Sequence, residues 1–298
     1  MMPVRVLRTY VRYGPAGRLS AALAETLDEH LQHHPITTTT RTRFGARIPV
    51  TTNDLIQRYL YLFGTWEPNL TAWIRSRLQP GDTFIDVGAN IGHFSLLAAP
   101  LVGPSGRVVA IEASPPLAAT LTLTATANDY RNIRVVDSAV SATTGELSFY
   151  IKDHNNLGGT TSVRPRNDLE PSFRAAAASL PDLLSATELE TARIIKIDVE
   201  GAEADVVDGL LPNLGTLRQD AEIAIEISPN RLARQGRKAS EVIAALSAAG
   251  FYCYRIDNSY AASSYTKHSV SLPRRWCHDV TEMTDLIFSR EDHPALLP

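Results

Sequence analysis

The stretch Asp86-Val87-Gly88-Ala89-Asn90-Ile91-Gly92 closes a short apolar run and opens a helical one. Glycines at 88 and 92 let the backbone turn tightly and approach a ligand closely. In a dinucleotide fold such a turn cradles a pyrophosphate at a helix N-terminus. Here Asp86 stands at the strand end, inside the same pocket. A carboxylate there repels phosphate and attracts a cation. S-adenosylmethionine meets that demand, because its methionyl end carries an ammonium and its sulfur is a sulfonium. The next apolar run ends in Glu112, where an acidic residue can accept both ribose hydroxyls. After the third run come Asp137, Ser138 and Ala139, where an adenine edge would lie. A glycine turn alone is also an ordinary strand–helix connection. Acidic residues at the ends of two successive strands argue for a cofactor.

A second acidic group follows later in the chain. Asp198 ends the fourth strand, Glu200 and Glu203 come just after it, and Glu226 lies near the end of the fifth. Methyl transfer to an alcohol needs alignment and removal of a tightly held proton. A general base or a divalent cation supplies the second. Carboxylates converging at the strand ends suit a hard ion such as Mg²⁺. Asp198 and Glu226 are the best ligand pair, with Glu203 as a third. The competing reading gives Glu203 to the helix dipole and Asp198 to substrate or cofactor. His154, in the polar loop Asp153–Gly159, is the candidate base, and Asp198 and Glu200 complete the catalytic candidates. A solvated loop histidine is the plainer alternative for His154. His93 is expected to pack or contact backbone. Nothing fixes the roles of His268 and His278.

The elements that must position these groups follow from hydrophobic periodicity. Strands are expected at Thr83–Val87, Arg107–Ile111, Ile133–Val136, Leu147–Ile151, Ile194–Ile197, Glu222–Ile227, Phe251–Arg255 and Asp285–Ser289. Helices fit near 68–78, 91–100, 116–128, 203–211 and 239–249. This alternation implies a mostly parallel sheet with helices on both faces. The last strand is expected to return antiparallel after a long loop. Residues 1–64 are expected to form an N-terminal extension of helix and extended arm, and 65–298 the catalytic domain. In the extension Leu19, Leu23, Leu27 and Leu31 stripe one helix face, either packing on the chain itself or meeting a second copy. His33-His34-Pro35 stops that helix, and Thr37–Thr42 suits a strand. An insertion at about 255–284 mixes tyrosines and Trp276 with polar groups, a composition suited to a carbohydrate.

Bulk properties narrow the partners. The chain has 298 residues, 44% hydrophobic and 20% charged, with a formal net charge of −3. It lacks the basic footprint of a nucleic-acid binder. Two cysteines, Cys253 and Cys277, make no disulfide framework. No apolar run reaches the roughly 18 residues of a membrane span, and the N-terminus lacks a signal-peptide pattern. A cytoplasmic protein is expected.

The quoted residues also match a family pattern. Gly64-Thr65-Trp66-Glu67-Pro68, Pro80-Gly81-Asp82, Asp86–Gly92, Ala110-Ile111-Glu112 and Lys196-Ile197-Asp198-Val199-Glu200-Gly201-Ala202-Glu203 occur in that order. Over about residues 45–230 the chain resembles the FkbM family of S-adenosylmethionine-dependent methyltransferases. The resemblance implies a class I methyltransferase fold, Rossmann-like, with a seven-stranded sheet whose seventh strand is antiparallel. It implies O-methylation, often of sugars or polyketides, with cofactor contacts from Glu67, Asp86, Gly88, Asn90, Gly92 and Glu112. Ala113-Ser114-Pro115 departs from the Pro-Asn-Pro common in that family. The leading expectation is a sugar or oligosaccharide acceptor, with an actinobacterial methylmannose-type precursor as one home and a homodimer possible. A polyketide or macrolide hydroxyl, a non-catalytic cofactor-binding scaffold and a nicotinamide oxidoreductase are the competing readings, the last disfavoured by Asp86.

Overall fold

In the computed structural model, residues 4–151, 159–165, 170–266 and 270–296 are described. Helices α1 (Val4–Tyr13) and α2 (Arg18–His33) come first. A hairpin of β1 (Thr37–Arg41) and β2 (Arg47–Thr51) follows, then α3 (Leu55–Phe63) and α4 (Pro68–Arg77). Helix α2 stops where Pro35 restricts the residue before it. Helix α3 starts on Asp54, whose side chain accepts from Gln57 N–H, and ends on Gly64 in the left-handed region, a common terminator.

Strand–helix alternation begins with β3 (Thr83–Val87), α5 (His93–Val102), β4 (Arg107–Glu112), α6 (Pro115–Ala127) and β5 (Ile133–Asp137). A detour follows through β6 (Ala139–Val140), β7 (Gly145–Phe149), β8 (Phe173–Ala178) and the short helices α7 (Leu180–Leu183) and α8 (Ala186–Glu190). The main run resumes with β9 (Ala192–Ile197), α9 (Glu203–Leu210) and β10 (Glu222–Ile227). It closes with α10 (Pro229–Leu232), α11 (Ala239–Ala248), β11 (Tyr252–Ile256), β12 (Arg274–Arg275) and β13 (Thr284–Ser289).

The large sheet has the order β12-β11-β13-β10-β9-β3-β4-β5. Strands β5, β4, β3, β9 and β10 run parallel, and β13 is antiparallel to both neighbours. This is the expected class I arrangement, with the two-residue β12 added at one edge as an eighth strand. The chain leaves β3 in one direction and returns to β9 on its other side. The carboxyl ends of these two strands therefore flank a topological switch point, where ligands bind in open α/β sheets. Every residue of β3 and β9 is buried, because helices cover both faces.

The strand expected at Leu147–Ile151 lies at Gly145–Phe149 and belongs to a separate three-stranded sheet, β6-β8-β7. Its partner β8, Phe-Arg-Ala-Ala-Ala-Ala, escaped sequence analysis because alanine favours helix. The strand forms because Ala175 and Ala177 pack under Phe149 and Ala139.

The N-terminal segment shares the main core. Leu27, Leu31 and Val11 are buried in one cluster with Phe63, Trp66, Phe84 and Tyr254. Leu23 is half-buried against that cluster, whereas Leu19 is 61% exposed. The leucine stripe thus packs mainly on its own chain. Cys253 is buried and Cys277 exposed, and both are free. Among the described residues no helix is long and apolar enough to cross a membrane.

One buried charge cluster ties α4 to the sheet. Glu222 is fully buried and takes Arg77 Nε at 2.8 Å, Arg77 Nη2 at 2.6 Å and Arg193 Nη1 at 2.8 Å. Removing the carboxylate takes the buried partner from two guanidinium groups, leaving Arg77 with the exposed Glu291 and Arg193 with the exposed Asp220. Glu222→Ala is expected to destabilise the fold by about 3–5 kcal/mol, measured by urea denaturation. A loss under about 1 kcal/mol would mean that water already screens the cluster.

Candidate active site

A cavity of about 250 Å³ opens at the switch point. Its floor is the turn after β3. Gly88 has φ +77°, and an added Cβ would strike the carbonyl of Asp198. Only glycine lets this turn cross the end of β9 so closely. Asn90 also sits in the left-handed region, at φ 53°, and its Oδ1 accepts from Ile91 N–H at 2.7 Å. Gly88 and Asn90 both line the cavity.

Glu112, the last residue of β4, forms the wall beside this turn. Its two oxygens accept backbone N–H groups from Asn90 and Ser114, each at 2.8 Å. Each oxygen keeps capacity for another donor, so the carboxylate can take a vicinal diol. Burial, opposed by these two N–H groups, raises its pKa to about 7. The departure at Ala113-Ser114-Pro115 changes nothing here, because the Ser114 donor is a backbone N–H. Ser138 and Ala139 line the same end, but the Ser138 hydroxyl is turned to the carbonyl of Ala176 at 3.0 Å.

Two expected cofactor residues lie beneath the cavity rather than on its wall. Asp86 is fully buried, and its Oδ2 accepts from Ser95 Oγ at 2.6 Å. Lys196 Nζ stands 3.7 Å from its Oδ1. The attraction for a cation deduced for Asp86 is therefore met first by a lysine. Gly92 begins α5 with φ +88°, and Leu121 occupies the place of its missing Cβ. Its freedom from a side chain serves helix packing.

The far end of the cavity gathers groups from five elements. Glu67 comes from the start of α4, Lys196 from β9, Asp198 and Glu200 from the following loop, Glu226 from β10 and Tyr260 from the C-terminal insertion. Lys196 Nζ reaches Asp198 Oδ2 at 3.2 Å. Glu200 is ion-paired with Arg231. Tyr260 Oη lies 3.1 Å from Glu67 Oε1 and 3.0 Å from Glu226 Oε2. A phenol has one hydrogen to donate, so the second contact needs a protonated carboxyl. The surroundings agree. Burial first, then Asp285 and Asp198, push Glu67 well up, and burial, Asp198 and Asp285 do the same to Glu226.

The expected metal set needs correcting. Carboxylate oxygens of Asp198, Glu200 and Glu226 lie within 4.8 Å of one another, and Glu203 is not among them. Glu203 heads α9 and turns back to accept Gly201 N–H at 2.7 Å, buried away from the cavity. The oxygen donors suit Mg²⁺ in type. Lys196 and Arg231 already neutralise two of them, however, and Tyr260 engages the third. The residues as arranged do not offer a free trio.

The histidines differ in placement. His154 and His268 fall outside the described residues. His278 is exposed beside Trp276. His93 is buried, contacts Thr71 Oγ1 at 3.1 Å, and is pulled down to about 3 by burial and Lys196. It stays neutral. Sequence analysis assigned no role to Lys196 or Arg231, and read Tyr260 only as one of the tyrosines of the carbohydrate-suited insertion. A lone lysine inside the apolar run Ile194–Ile197 was the available signal for the first.

Burial raises Glu203 to about 7 from an ordinary value of 4.5. A raised acid stabilises the fold below its unfolded pKa, and that contribution is lost as pH climbs through the folded pKa. Glu203→Gln keeps the acceptor for Gly201 N–H without the titration. Its stability relative to wild type should rise between about pH 4.5 and 7, by up to about 3 kcal/mol. Urea melts of both proteins across that range check this, and a constant difference would refute it.

Comparison with known proteins bears on the same residues. Residues 86–253, more than half the chain, match the model of the methyltransferase FkbM domain. A protein-L-isoaspartate O-methyltransferase of Triticum aestivum is 28% identical over 151 residues, or 50% of this chain. The chain covers 60% of that relative's length. The solved methyltransferase FkbM from Methylobacillus flagellatus KT aligns with TM-score 0.43 and 14% identity, over 78% of this chain and 52% of the other. An S-adenosylmethionine-dependent O-methyltransferase from Thermotoga maritima aligns with TM-score 0.43 and 15% identity, over 88% and 80%. With its glycine turn, its acidic strand ends and a family match spanning more than half its length, this chain belongs to the FkbM methyltransferase family.

Proposed function

We propose that this protein moves a methyl group from S-adenosylmethionine to a hydroxyl of a small acceptor, with a sugar or oligosaccharide as the best fit. One observation carries the reading. A single cavity joins the diol-accepting carboxylate of Glu112 to an end built from carboxylates and a stacked aromatic pair. Bound S-adenosylmethionine supplies an activated methyl group and a neutral leaving group. The chain's own residues must hold the two reactants in line and receive the hydroxyl proton.

Glu112 orients the ribose, and the Gly88–Ile91 turn sets the distance to the far end. Asp198, half-buried in the cavity wall, accepts the acceptor's proton. Glu200, fixed by Arg231, shapes the wall. Tyr260 stacks on the buried Trp66 at 5.2 Å and 20°, which leaves the outer face of Tyr260 for the C–H side of a pyranose. Mg²⁺-assisted activation would require Asp198, Glu200 and Glu226 to release Lys196, Arg231 and Tyr260. Turnover is therefore expected to persist within about two-fold after exhaustive chelation. Collapse in EDTA with recovery in Mg²⁺ would restore the metal route.

Transfer of a radiolabelled methyl group to an oligosaccharide panel, with mannosides tried first, tests the acceptor class. Label only on polyketide hydroxyls, protein or RNA would overturn the sugar reading. Glu112→Ala is expected to weaken cofactor binding about ten- to a hundred-fold, because two hydrogen bonds to a charged group are lost. Calorimetry reads this directly, and absence of cofactor binding by the wild type would overturn every methyltransferase reading. If His154→Ala cost more than about a hundred-fold in kcat, the proton would pass to that histidine instead of Asp198.

A further inference from the structure

Tyr260 reaches the far end from the long connection between β11 and β12. The segment carrying it is held by the N-terminal helices. Tyr59 of α3 donates its hydroxyl to the carbonyl of Tyr260 at 2.6 Å. Ser263 N–H donates to Glu25 of α2 at 2.8 Å. Tyr265 packs against Tyr59 and Phe63 at 4.8 and 4.9 Å, and its hydroxyl accepts Glu67 N–H at 3.3 Å. Asn69 binds both flanks, with Nδ2 to the carbonyl of Asp257 at 2.7 Å and Oδ1 from Ser271 N–H at 3.0 Å. These contacts fix the backbone at Tyr260. Its ring is then laid on Trp66, and its hydroxyl is set between Glu67 and Glu226.

We infer that Tyr260 positions the acceptor, and that the N-terminal segment, acting through Tyr59, holds it in place to do so. The inference rests on the hydroxyl-methylation reading. The ring, stacked on the buried Trp66, gives the cavity wall an aromatic face, and the phenol commits its one hydrogen to the Glu67–Glu226 pair, which holds those two carboxyl groups in place. Burial and the surrounding carboxylates push the phenol far up, so it keeps its hydrogen at any working pH. An acceptor hydroxyl entering this end meets carboxyl groups fixed by that phenol beside an aromatic face. That combination orients one hydroxyl of a sugar among several. The ribose end of the cavity is built by Glu112 and the glycine turn, which Tyr260 does not touch.

The test compares wild type, Tyr260→Phe and Tyr59→Phe, using the acceptor selected by the labelling panel, a methyl mannoside being the first tried. Tyr260→Phe keeps the ring and removes the donor. Tyr59→Phe removes the hydroxyl that holds the Tyr260 backbone without touching the cavity lining. Both are expected to raise the acceptor KM, by about ten-fold or more for Tyr260→Phe and about three-fold for Tyr59→Phe, since a lost hydrogen bond to a buried group is worth roughly that factor. Cofactor affinity by calorimetry should stay within about two-fold in both. A role confined to folding would lower thermal stability and weaken both ligands alike, and that pattern overturns the inference. So does an acceptor KM within two-fold of wild type in Tyr260→Phe. The wild-type arm reports separately on the underlying reading: if it labels no hydroxyl acceptor, hydroxyl methylation itself fails.

Discussion

The site depends on one buried ammonium. Lys196 emerges from the centre of the sheet with Asp86 on one side and Asp198 on the other, at 3.7 and 3.2 Å. Burial alone would strip its proton. Asp198, Asp86 and Glu67 outweigh that and keep it charged. The lysine therefore ties the carboxyl ends of β3 and β9 together beside the switch point, where it lies in register with Asp86 and the main-chain ladder runs one pair further, to Val87 and Ile197. It also decides how much negative charge is left for ligands. Asp86 is consumed beneath the turn, Asp198 is partly neutralised, and Glu67 and Glu226 share what remains with a phenol.

This arrangement explains why so many carboxyl groups sit together without unfolding the end of the sheet. Glu67, Asp198, Glu226 and Asp285 crowd one region, and isolated buried carboxylates there would cost several kcal/mol each. A proton held between Glu67, Tyr260 and Glu226 removes one charge, and Lys196 offsets another. Burial lifts Asp285 to about 7, which lowers the demand further. The same groups that limit repulsion are left at the cavity wall with hydrogen-bonding capacity.

The chain closes over this end from its two extremities. Helices α2 and α3 belong to the first sixty-odd residues, and the Tyr260 segment lies near the last forty. Tyr59 and Tyr260 are 201 residues apart in sequence. Their contact costs loop-closure entropy that local elements do not, and an aromatic cluster of Tyr59, Phe63, Trp66 and Tyr265 offsets it.

Much of the frame was legible in the sequence. Strands Thr83–Val87 and Glu222–Ile227 were readable to the residue, because β-branched apolar runs between polar breaks have little else to become. The glycine turn and Glu112 were legible for a related reason: backbone sterics and strand ends are local properties. Strand β8 was not, since a run of alanines favours helix until a neighbouring strand offers it a ladder. Nor was the fate of Asp86. Its place at a strand end is written in the sequence, but the lysine that neutralises it sits 110 residues later on an adjacent strand. Tyr260 is the extreme case, an aromatic residue in an irregular loop whose use is set by helices from the other end of the chain. The sequence by itself determined which residue types stand at the ends of which strands. Only the tertiary structure decided which charges cancel, because that depends on distances between side chains that share no local element.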